Sequence, residues 1–333
     1  MRYCIWNNKG GVGKTFLTYC LSTTYAARHP QKKVVVVDMC PQANVSEMIL
    51  GGNGPGEERL NTCYENSRTI ACYIKSRNAK SRFEKIGTEL TYFVRAKDFN
   101  NNIPENLYLL PGDFDLDICA SIIEHMARGP EKKAWENSHR LLSDIIGVFE
   151  QENDNTVVFI DSNPSFASYT QLGLIASNRI IVPCTADLAS IRGIQNILRL
   201  VFGIKESTDE DIYDEFYSKI HNLGIEPKIH SFVLNKARTH DQNASVAYIA
   251  HVNSIKEVTK NLAKDHPDCF SKNPQVYDMK DCNTIAPVVN FHGLPPLLLK
   301  AKKYQVYDEY ATVNKTQIDP FLTDLNKVVE SIE

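Results

Sequence analysis

Asn7 to Thr15 reads NNKGGVGKT, and this stretch decides the fold of the chain. A short apolar run, Tyr3 to Trp6, precedes it, and a segment without Gly or Pro follows it to about His29. This order predicts a strand, a glycine-rich loop and a helix. Glycines let backbone N–H groups turn toward a polyphosphate, and the helix start adds the positive end of its dipole. The stretch is therefore typical of a phosphate-binding loop with ATP or GTP as its ligand.

The polar side chains of the loop have predicted roles. We expect Lys14 to neutralise the β- and γ-phosphate oxygens, and the hydroxyl of Thr15 to ligate Mg²⁺. A glycine is usual at the first position of the motif, where this chain has Asn8. The predicted nucleotide-binding residues are Lys9, Gly10, Gly11, Val12, Gly13, Lys14, Thr15 and Phe16, with Asn235 from a later strand end.

Composition bounds the class of protein. The chain has 333 residues, of which 43% are hydrophobic and 23% charged, as in an ordinary globular protein. Its net charge of -3 is unlike that of a constitutive DNA binder, so a DNA surface would be a local patch or one assembled by dimerisation. The nine cysteines lack C-x-x-C spacing, and no apolar run approaches a membrane span. We therefore expect a cytoplasmic protein.

Two later segments each end in a carboxylate. Residues 33 to 38 contain four consecutive valines and end in Asp38, which suits a strand buried on both faces of a parallel sheet. Asp38 then stands at the edge where open α/β sheets bind ligands, although it could instead cap the next turn. Residues 156 to 161 end in Asp161, which we expect to hold a water of Mg²⁺ while Thr15 binds the ion directly.

Strand and helix patterns alternate along the rest of the chain. Further strands are predicted at 106–112, 179–184 and 229–234. The expected fold is α/β, a doubly wound and mostly parallel sheet of the P-loop NTPase type, with 1–333 as a single ATPase domain. Residues of about 51–105 and 205–228 are expected to be helical insertions. The glycine-rich start of the first, 51–60, predicts a flexible connection.

Three motifs carry a resemblance to a known family. K-G-G-V-G-K-T resembles the deviant phosphate loop of the ParA/MinD superfamily, and the preceding Asn7 resembles the ParA branch. Residues 38–44, DMCPQAN, resemble the family's D-x-D-P-Q-x-N, with Cys40 in place of the second acidic residue. Residues 161–165, DSNPS, resemble D-[ST]-P-P-S, with Asn163 in place of one proline.

The resemblance implies residue roles. In ParA-type ATPases the lysine at the position of Lys9 reaches the nucleotide of the partner subunit, and the aspartate at Asp38 helps to arrange the attacking water. An amide at the position of Asn235 recognises adenine in this superfamily, although an Asn after a strand is often a turn residue. The expected catalytic residues are thus Lys9, Asp38 and Asp161, with ATP and Mg²⁺ as cofactors.

The resemblance also implies a functional cycle. Proteins of this family form an ATP-sandwich homodimer, bind nonspecific double-stranded DNA, and hydrolyse ATP when a cargo adaptor stimulates them. The chain resembles both a plasmid-partition ParA and a carboxysome-positioning ATPase of the McdA kind. We therefore expect a nucleoid-associated protein that positions a plasmid, a chromosome region or a carboxysome, with a ParB-like or McdB-like adaptor.

Basic residues near the carboxyl end are the candidate DNA contacts. Each phosphate that a lysine or arginine neutralises contributes salt-sensitive, sequence-independent affinity. For any one lysine, simple solvation is the alternative. The basic residues between 68 and 97 could contact DNA or an acidic partner, or they could simply be solvated helix faces. The candidates are Lys236, Arg238, Lys300, Lys302 and Lys303.

Three other functions have less support in the sequence. A MinD-like membrane ATPase needs a basic amphipathic tail, whereas residues 317–333 are net acidic, so membrane attachment is not expected. A P-loop tyrosine kinase would keep tyrosines near its end, but the spacing of Tyr304, Tyr307 and Tyr310 more simply predicts one side of a helix. An iron–sulfur reductase would carry a cysteine just beyond Asp161, and the sequence has none before Cys184.

Overall fold

The computed structural model describes residues 1–78, 80–204, 214–237, 246–280 and 282–333. The strands in these ranges are β1 (Arg2–Ile5), β2 (Lys33–Met39), β3 (Val94–Arg95), β4 (Leu107–Leu110), β5 (Thr156–Ser162), β6 (Arg179–Cys184), β7 (Lys228–Ala237), β8 (Phe270–Lys280), β9 (Lys302–Val306) and β10 (Glu309–Val313). The helices in these ranges are α1 (Lys14–Arg28), α2 (Asn44–Leu50), α3 (Pro55–Glu65), α4 (Ile70–Asn78), α5 (Leu116–Ala127), α6 (Ala134–His139), α7 (Leu141–Glu152), α8 (Ser168–Ala176), α9 (Leu188–Phe202), α10 (Asp214–Asn222), α11 (Val246–Asp265), α12 (Ile285–His292) and α13 (Lys315–Glu330).

The described strands β1 to β8 form one sheet in the order β3-β4-β2-β5-β1-β6-β7-β8. Its pairs are parallel except for the edge pair of β3 with β4. The four valines of β2 are buried, as expected for a strand covered on both faces. The predicted doubly wound, mostly parallel α/β fold is confirmed.

Helices cover both faces of this sheet. One apolar core joins the sheet to α4, α5, α7, α8 and α9. The other joins it to α1, α2, α12 and α13. Because helices cover both faces of the sheet, polar groups of the central strands reach solvent only at the strand ends.

The register brings the two predicted carboxylates together. Ile5 of β1 lies opposite Asp161 of β5, and Asp38 of β2 lies opposite the same Asp161. In the sheet, β5 lies between β1 and β2, whereas β6 and β7 lie on the other side of β1. The crevice formed where strand order diverges is the usual ligand position in such sheets.

The structure differs from two local expectations. Residues 51–60 were expected to be a flexible connection, but α3 begins at Pro55, because a proline is well suited to the first helical turn. Tyr304, Tyr307 and Tyr310 were expected on one side of a helix, but they lie on or between the strands of the hairpin β9–β10. The helical interpretation of these tyrosines is wrong.

Several basic residues of the 51–105 segment contact groups of the same chain. Lys75 pairs with Asp115, Arg82 with Asp144 and Arg95 with Glu105. The guanidinium of Arg77 is buried and donates to backbone carbonyls. These contacts support a structural role for much of this basic stretch.

Candidate functional site

The phosphate loop connects β1 to α1 and has the backbone shape that its glycines permit. Gly11 has φ +72° and Gly13 has φ +82°, values at which a side chain would be strained. Gly13 immediately precedes α1, so the helix begins at Lys14 with its N–H groups facing the loop. The loop is therefore shaped to receive an anion at the start of a helix.

Lys14 is buried inside this loop. Its ammonium donates to the carbonyl of Asn7 at 3.1 Å and to that of Lys9 at 2.9 Å. Burial lowers the pKa of Lys14 to about 8, because the charged form loses its hydration. A bound phosphate would give this ammonium an anionic partner in addition to the two carbonyls.

Thr15 and Asp161 form the predicted magnesium pair. The Thr15 hydroxyl donates to one Asp161 carboxylate oxygen at 2.8 Å, and the Thr18 hydroxyl donates to the other at 3.2 Å. Asp161 is fully buried at the end of β5. A hydroxyl and a carboxylate are the hard oxygen ligands that Mg²⁺ takes beside substrate phosphates, so these residues fit the ion.

Asp38 lies next to Asp161 but is closed off. One carboxylate oxygen accepts from the backbone N–H of Cys40 at 3.1 Å. The other accepts from the N–H and hydroxyl of Ser46 at 3.0 and 2.7 Å. Burial raises the pKa of both carboxyl groups, and the charge of Asp161 raises that of Asp38 further. Asp38 and Asp161 are thus two adjacent buried carboxyl groups, and each disfavours the charged form of the other.

Lys9 contacts residues of its own subunit. Its ammonium donates to the Thr185 hydroxyl at 2.6 Å and forms an ion pair with Asp187. Asp187 caps α9, since its other carboxylate oxygen accepts from the N–H of Ser190 at 2.9 Å. The sequence does not reveal the contact of Lys9 with Asp187, because no local pattern joins positions so far apart.

Asn235 lies over the phosphate loop. Its side-chain amide donates to the carbonyl of Val12 at 2.5 Å, and it approaches Gly13 so closely that a Cβ there would lie 2.9 Å from the amide nitrogen. This contact brings the end of β7 to the phosphate loop. Adenine recognition by Asn235 stays a prediction.

A cavity of about 720 Å³ opens beside the loop. It includes Lys14, Thr15 and Phe16, and Phe16 also packs against Phe321 with ring centroids 6.1 Å apart. The hydroxyl of Tyr307 accepts from the Asn53 amide at 2.7 Å at its mouth. Lining residues that the sequence did not reveal are Glu47, Asn290, Phe291 and Tyr307. They come from α2, α12 and the β9–β10 hairpin, and no short motif marks them.

The two departures from the family motifs contact each other. The side-chain amide of Asn163 donates to the sulfur of Cys40 at 3.5 Å. Cys40 lines the cavity, and so do Ser162 and Pro164 on either side of Asn163. The loops after β2 and β5 therefore contact each other through Cys40 and Asn163, the two residues that differ from the family pattern.

The candidate DNA residues are only partly described. Lys300, Lys302 and Lys303 are exposed around β9, and the Lys302 ammonium lies 4.7 Å from the centre of the Tyr304 ring. The side chain of Lys236 and all of Arg238 lie outside the described residues. Within the described ranges, no helix is both long and apolar enough to cross a membrane.

A glycine loop at the end of the central strand, a buried lysine and a Thr–Asp pair define a P-loop nucleotide-binding protein of the α/β class. The chain belongs to the AAA domain family, whose sequence pattern matches residues 2–213. The resemblance to ParA/MinD-type deviant Walker proteins of the ParA branch is confirmed.

Similar proteins cover most of the chain. The ParA family protein of Mycoplasma genitalium is 22% identical over 311 residues, which are 93% of this chain and 94% of that protein. A Cyanothece McdA in complex with ATP has a TM-score of 0.61 at 15% identity, covering 100% of this chain and 96% of its own. Cobyrinic acid a,c-diamide synthase from Mycobacterium smegmatis, with an ATP analogue and magnesium, has a TM-score of 0.51 at 18% identity, covering 77% and 81%. At these identities the structural likenesses show the fold alone.

Proposed function

We propose that this protein is a ParA-type ATPase whose ATP-bound form is a homodimer that binds nonspecific double-stranded DNA. The observation that carries the proposal is the contact of Thr15 with Asp161 at the foot of a phosphate loop. A neutral hydroxyl and a buried carboxylate at that point serve a nucleotide-bound cation, whereas a purely structural loop has no need of them. The ATP bound by the McdA homologue and the magnesium bound by the synthase support the same cofactors here.

Hydrolysis follows from the charges of the site. Thr15 and Asp161 would hold Mg²⁺, which would supply positive charge beside the nucleotide phosphates. Lys14 supplies a second cation from within the loop. Asp38 helps to arrange the attacking water by fixing the segment after β2 through Cys40 and Ser46. The side chains of this subunit therefore bind and orient the substrate.

Lys9 supplies the remaining charge from the opposite subunit. A cation added in trans stabilises the charge that develops on the transferred phosphoryl group. Dimerisation then depends on the γ-phosphate, because that group is what the two subunits share. Loss of the γ-phosphate loosens the interface, and the DNA-binding surface that the two subunits form together is then lost.

The proposed DNA surface uses Lys300, Lys302 and Lys303, with Lys236 and Arg238 as further candidates. The described lysines are exposed and close together, so a dimer presents two such clusters. A ParB-like or McdB-like adaptor then stimulates hydrolysis and couples the cycle to a plasmid, a chromosome region or a carboxysome. The ParA proteins among the relatives, one of them named a chromosome partitioning protein, support this class of role.

Phosphate release from ATP tests the activity. We expect the purified protein to hydrolyse ATP slowly with Mg²⁺ and faster with duplex DNA present. Lys14→Ala is the matched control, because it removes the loop cation and leaves the rest of the site in place. Equal phosphate release by the wild type and Lys14→Ala, or the same rate in EDTA, would show that this site is not an ATPase.

A further inference from the structure

We propose that Asn163 is a catalytic residue whose side-chain amide orients the water that attacks the γ-phosphate. The inference rests on the ATPase function proposed above and assigns a residue within the same site. It is carried by the contact of Asn163 with Cys40, the two positions at which this chain departs from its family pattern.

The nearest carboxylate is buried and already accepts three hydrogen bonds. Asp38 accepts from three donors, the Cys40 N–H, the Ser46 N–H and the Ser46 hydroxyl, and its side chain is fully buried. Neither Asp38 nor Asn163 is itself a lining residue of the cavity, but Asn163 is only half-buried and lies between Ser162 and Pro164, which do line it. Asp38 can therefore fix the loop after β2, but in this arrangement it does not itself present an oxygen to a water in the cavity.

The thiol of Cys40 is a poor substitute for an acid. Burial raises the pKa of Cys40 to about 12, and the neighbouring carboxylate of Asp38 raises it as well. The sulfur is thus a neutral thiol at physiological pH, and a thiol is a weak donor and a weak acceptor. A water beside Cys40 in the cavity therefore needs a stronger hydrogen-bonding partner than the thiol.

Asn163 supplies such a partner in a fixed position. Its backbone carbonyl accepts from the Trp6 indole N–H at 3.2 Å, and its side-chain oxygen accepts from the Ser165 N–H at 2.9 Å. The amide nitrogen is left to donate to the Cys40 sulfur at 3.5 Å. Because sulfur accepts weakly, that N–H is readily given to a better acceptor, such as a water or a γ-phosphate oxygen.

The chemistry needs an orienting group of this kind. In hydrolysis the water oxygen forms a bond to the γ-phosphorus while the bond from that phosphorus to the bridging oxygen breaks, and ADP leaves with the electron pair. One water proton stays on the phosphate product as its hydroxyl, and the other passes to a phosphate oxygen and then to solvent. In P-loop GTPases a glutamine amide positions the water for this step. Asn163 offers the same functional group from the loop that follows β5.

The test compares the turnover and the ATP affinity of the full-length protein with Mg²⁺. We expect Asn163→Ala to lower kcat by about tenfold or more while ATP affinity changes by less than about threefold. Asn163→Gln, which keeps the amide, should recover a large part of kcat. Ser165→Ala is the control, because it changes an exposed side chain of the same loop but keeps the backbone N–H that fixes Asn163, and its kcat should stay within about threefold of wild type.

Three results would count against the proposal, and they are distinguishable. A wild-type kcat in Asn163→Ala overturns it. A loss of kcat matched by an equal loss of ATP affinity, with no recovery in Asn163→Gln, assigns Asn163 to loop structure and also overturns it. Wild-type protein that releases no phosphate overturns the proposed ATPase function itself, and this is seen before any variant is compared.

Discussion

The ammonium of Lys9 and the carboxylate of Asp187 form an ion pair within one subunit. In the proposed dimer the same ammonium contacts the nucleotide of the opposite subunit, so the intramolecular pair must break first. The Lys9 side chain is 23% exposed and that of Asp187 is 42% exposed. Exposed pairs of this kind contribute only about 0.2–1 kcal/mol, so the pair can hold Lys9 without preventing dimerisation.

Asp187→Asn should therefore favour the dimer. The amide keeps the helix cap but loses the ion pair with Lys9. We expect half-maximal dimerisation with ATP at a protein concentration lower by roughly two- to fivefold. Lys9→Ala should still bind ATP but fail to dimerise. Light scattering over a concentration series with a slowly hydrolysed ATP analogue measures both, and a dimer from Lys9→Ala would reject the role of this lysine.

Thr15→Ala should weaken the binding of ATP with Mg²⁺ much more than the binding of ATP in EDTA. The reason is that Thr15 is the proposed direct ligand of the ion. Thr18→Ala is the matched control, because Thr18 contacts the same carboxylate at 3.2 Å but lies one helical turn deeper. Titration of a fluorescent ATP analogue gives both affinities. Equal losses in the two variants would mean that the hydroxyl only supports Asp161.

Asp38→Asn should retain ATP and stop turnover. The substitution keeps the size of this buried side chain but changes the bonds to Cys40 and Ser46 that fix the loop. ATP-bound dimers should then accumulate on DNA. Electrophoretic mobility shift with ATP measures their lifetime, and phosphate release at the wild-type rate would contradict the proposed role of Asp38.

Lys300, Lys302 and Lys303 changed together to Gln should weaken DNA binding and its salt dependence. Each lost phosphate contact reduces the slope of log affinity against log salt by about 0.9. The control variant carries Gln at Arg128, Lys132 and Lys133, which are also exposed, and has the same change in net charge. Fluorescence anisotropy with duplex DNA at several salt concentrations compares them. An unchanged slope in the first variant would place the DNA surface elsewhere.

His139 should make the fold sensitive to acid. Burial lowers the pKa of His139 to about 4, below its ordinary value of 6.5. The unfolded chain therefore binds one more proton than the native protein between these values, so the free energy of unfolding decreases as pH falls from 6.5 to 4. Urea unfolding at several pH values should show a shallower decrease in His139→Gln than in wild type. The exposed His221→Gln should follow wild type, and identical curves for all three proteins would contradict the prediction.

The sequence predicted the parts of the site that lie in short segments. The phosphate loop, the valines of β2 and the carboxylates ending β2 and β5 each carry a local pattern, and the parallel register brings Asp38 and Asp161 together. What it did not predict depends on contacts between distant segments. The pairing of Lys9 with Asp187 and the position of Tyr307 at the cavity mouth arise from packing. Tyr307 was misassigned because three tyrosines at spacing three fit a helix as well as a short hairpin.

The central claim is that ATP joins two copies of this chain. Sedimentation velocity of the wild type with a slowly hydrolysed ATP analogue and Mg²⁺ tests it most directly. We predict a monomer without nucleotide and with ADP, and a dimer with the analogue. Protein that sediments as a monomer in all three conditions, at concentrations where the analogue is shown to be bound, would contradict the account.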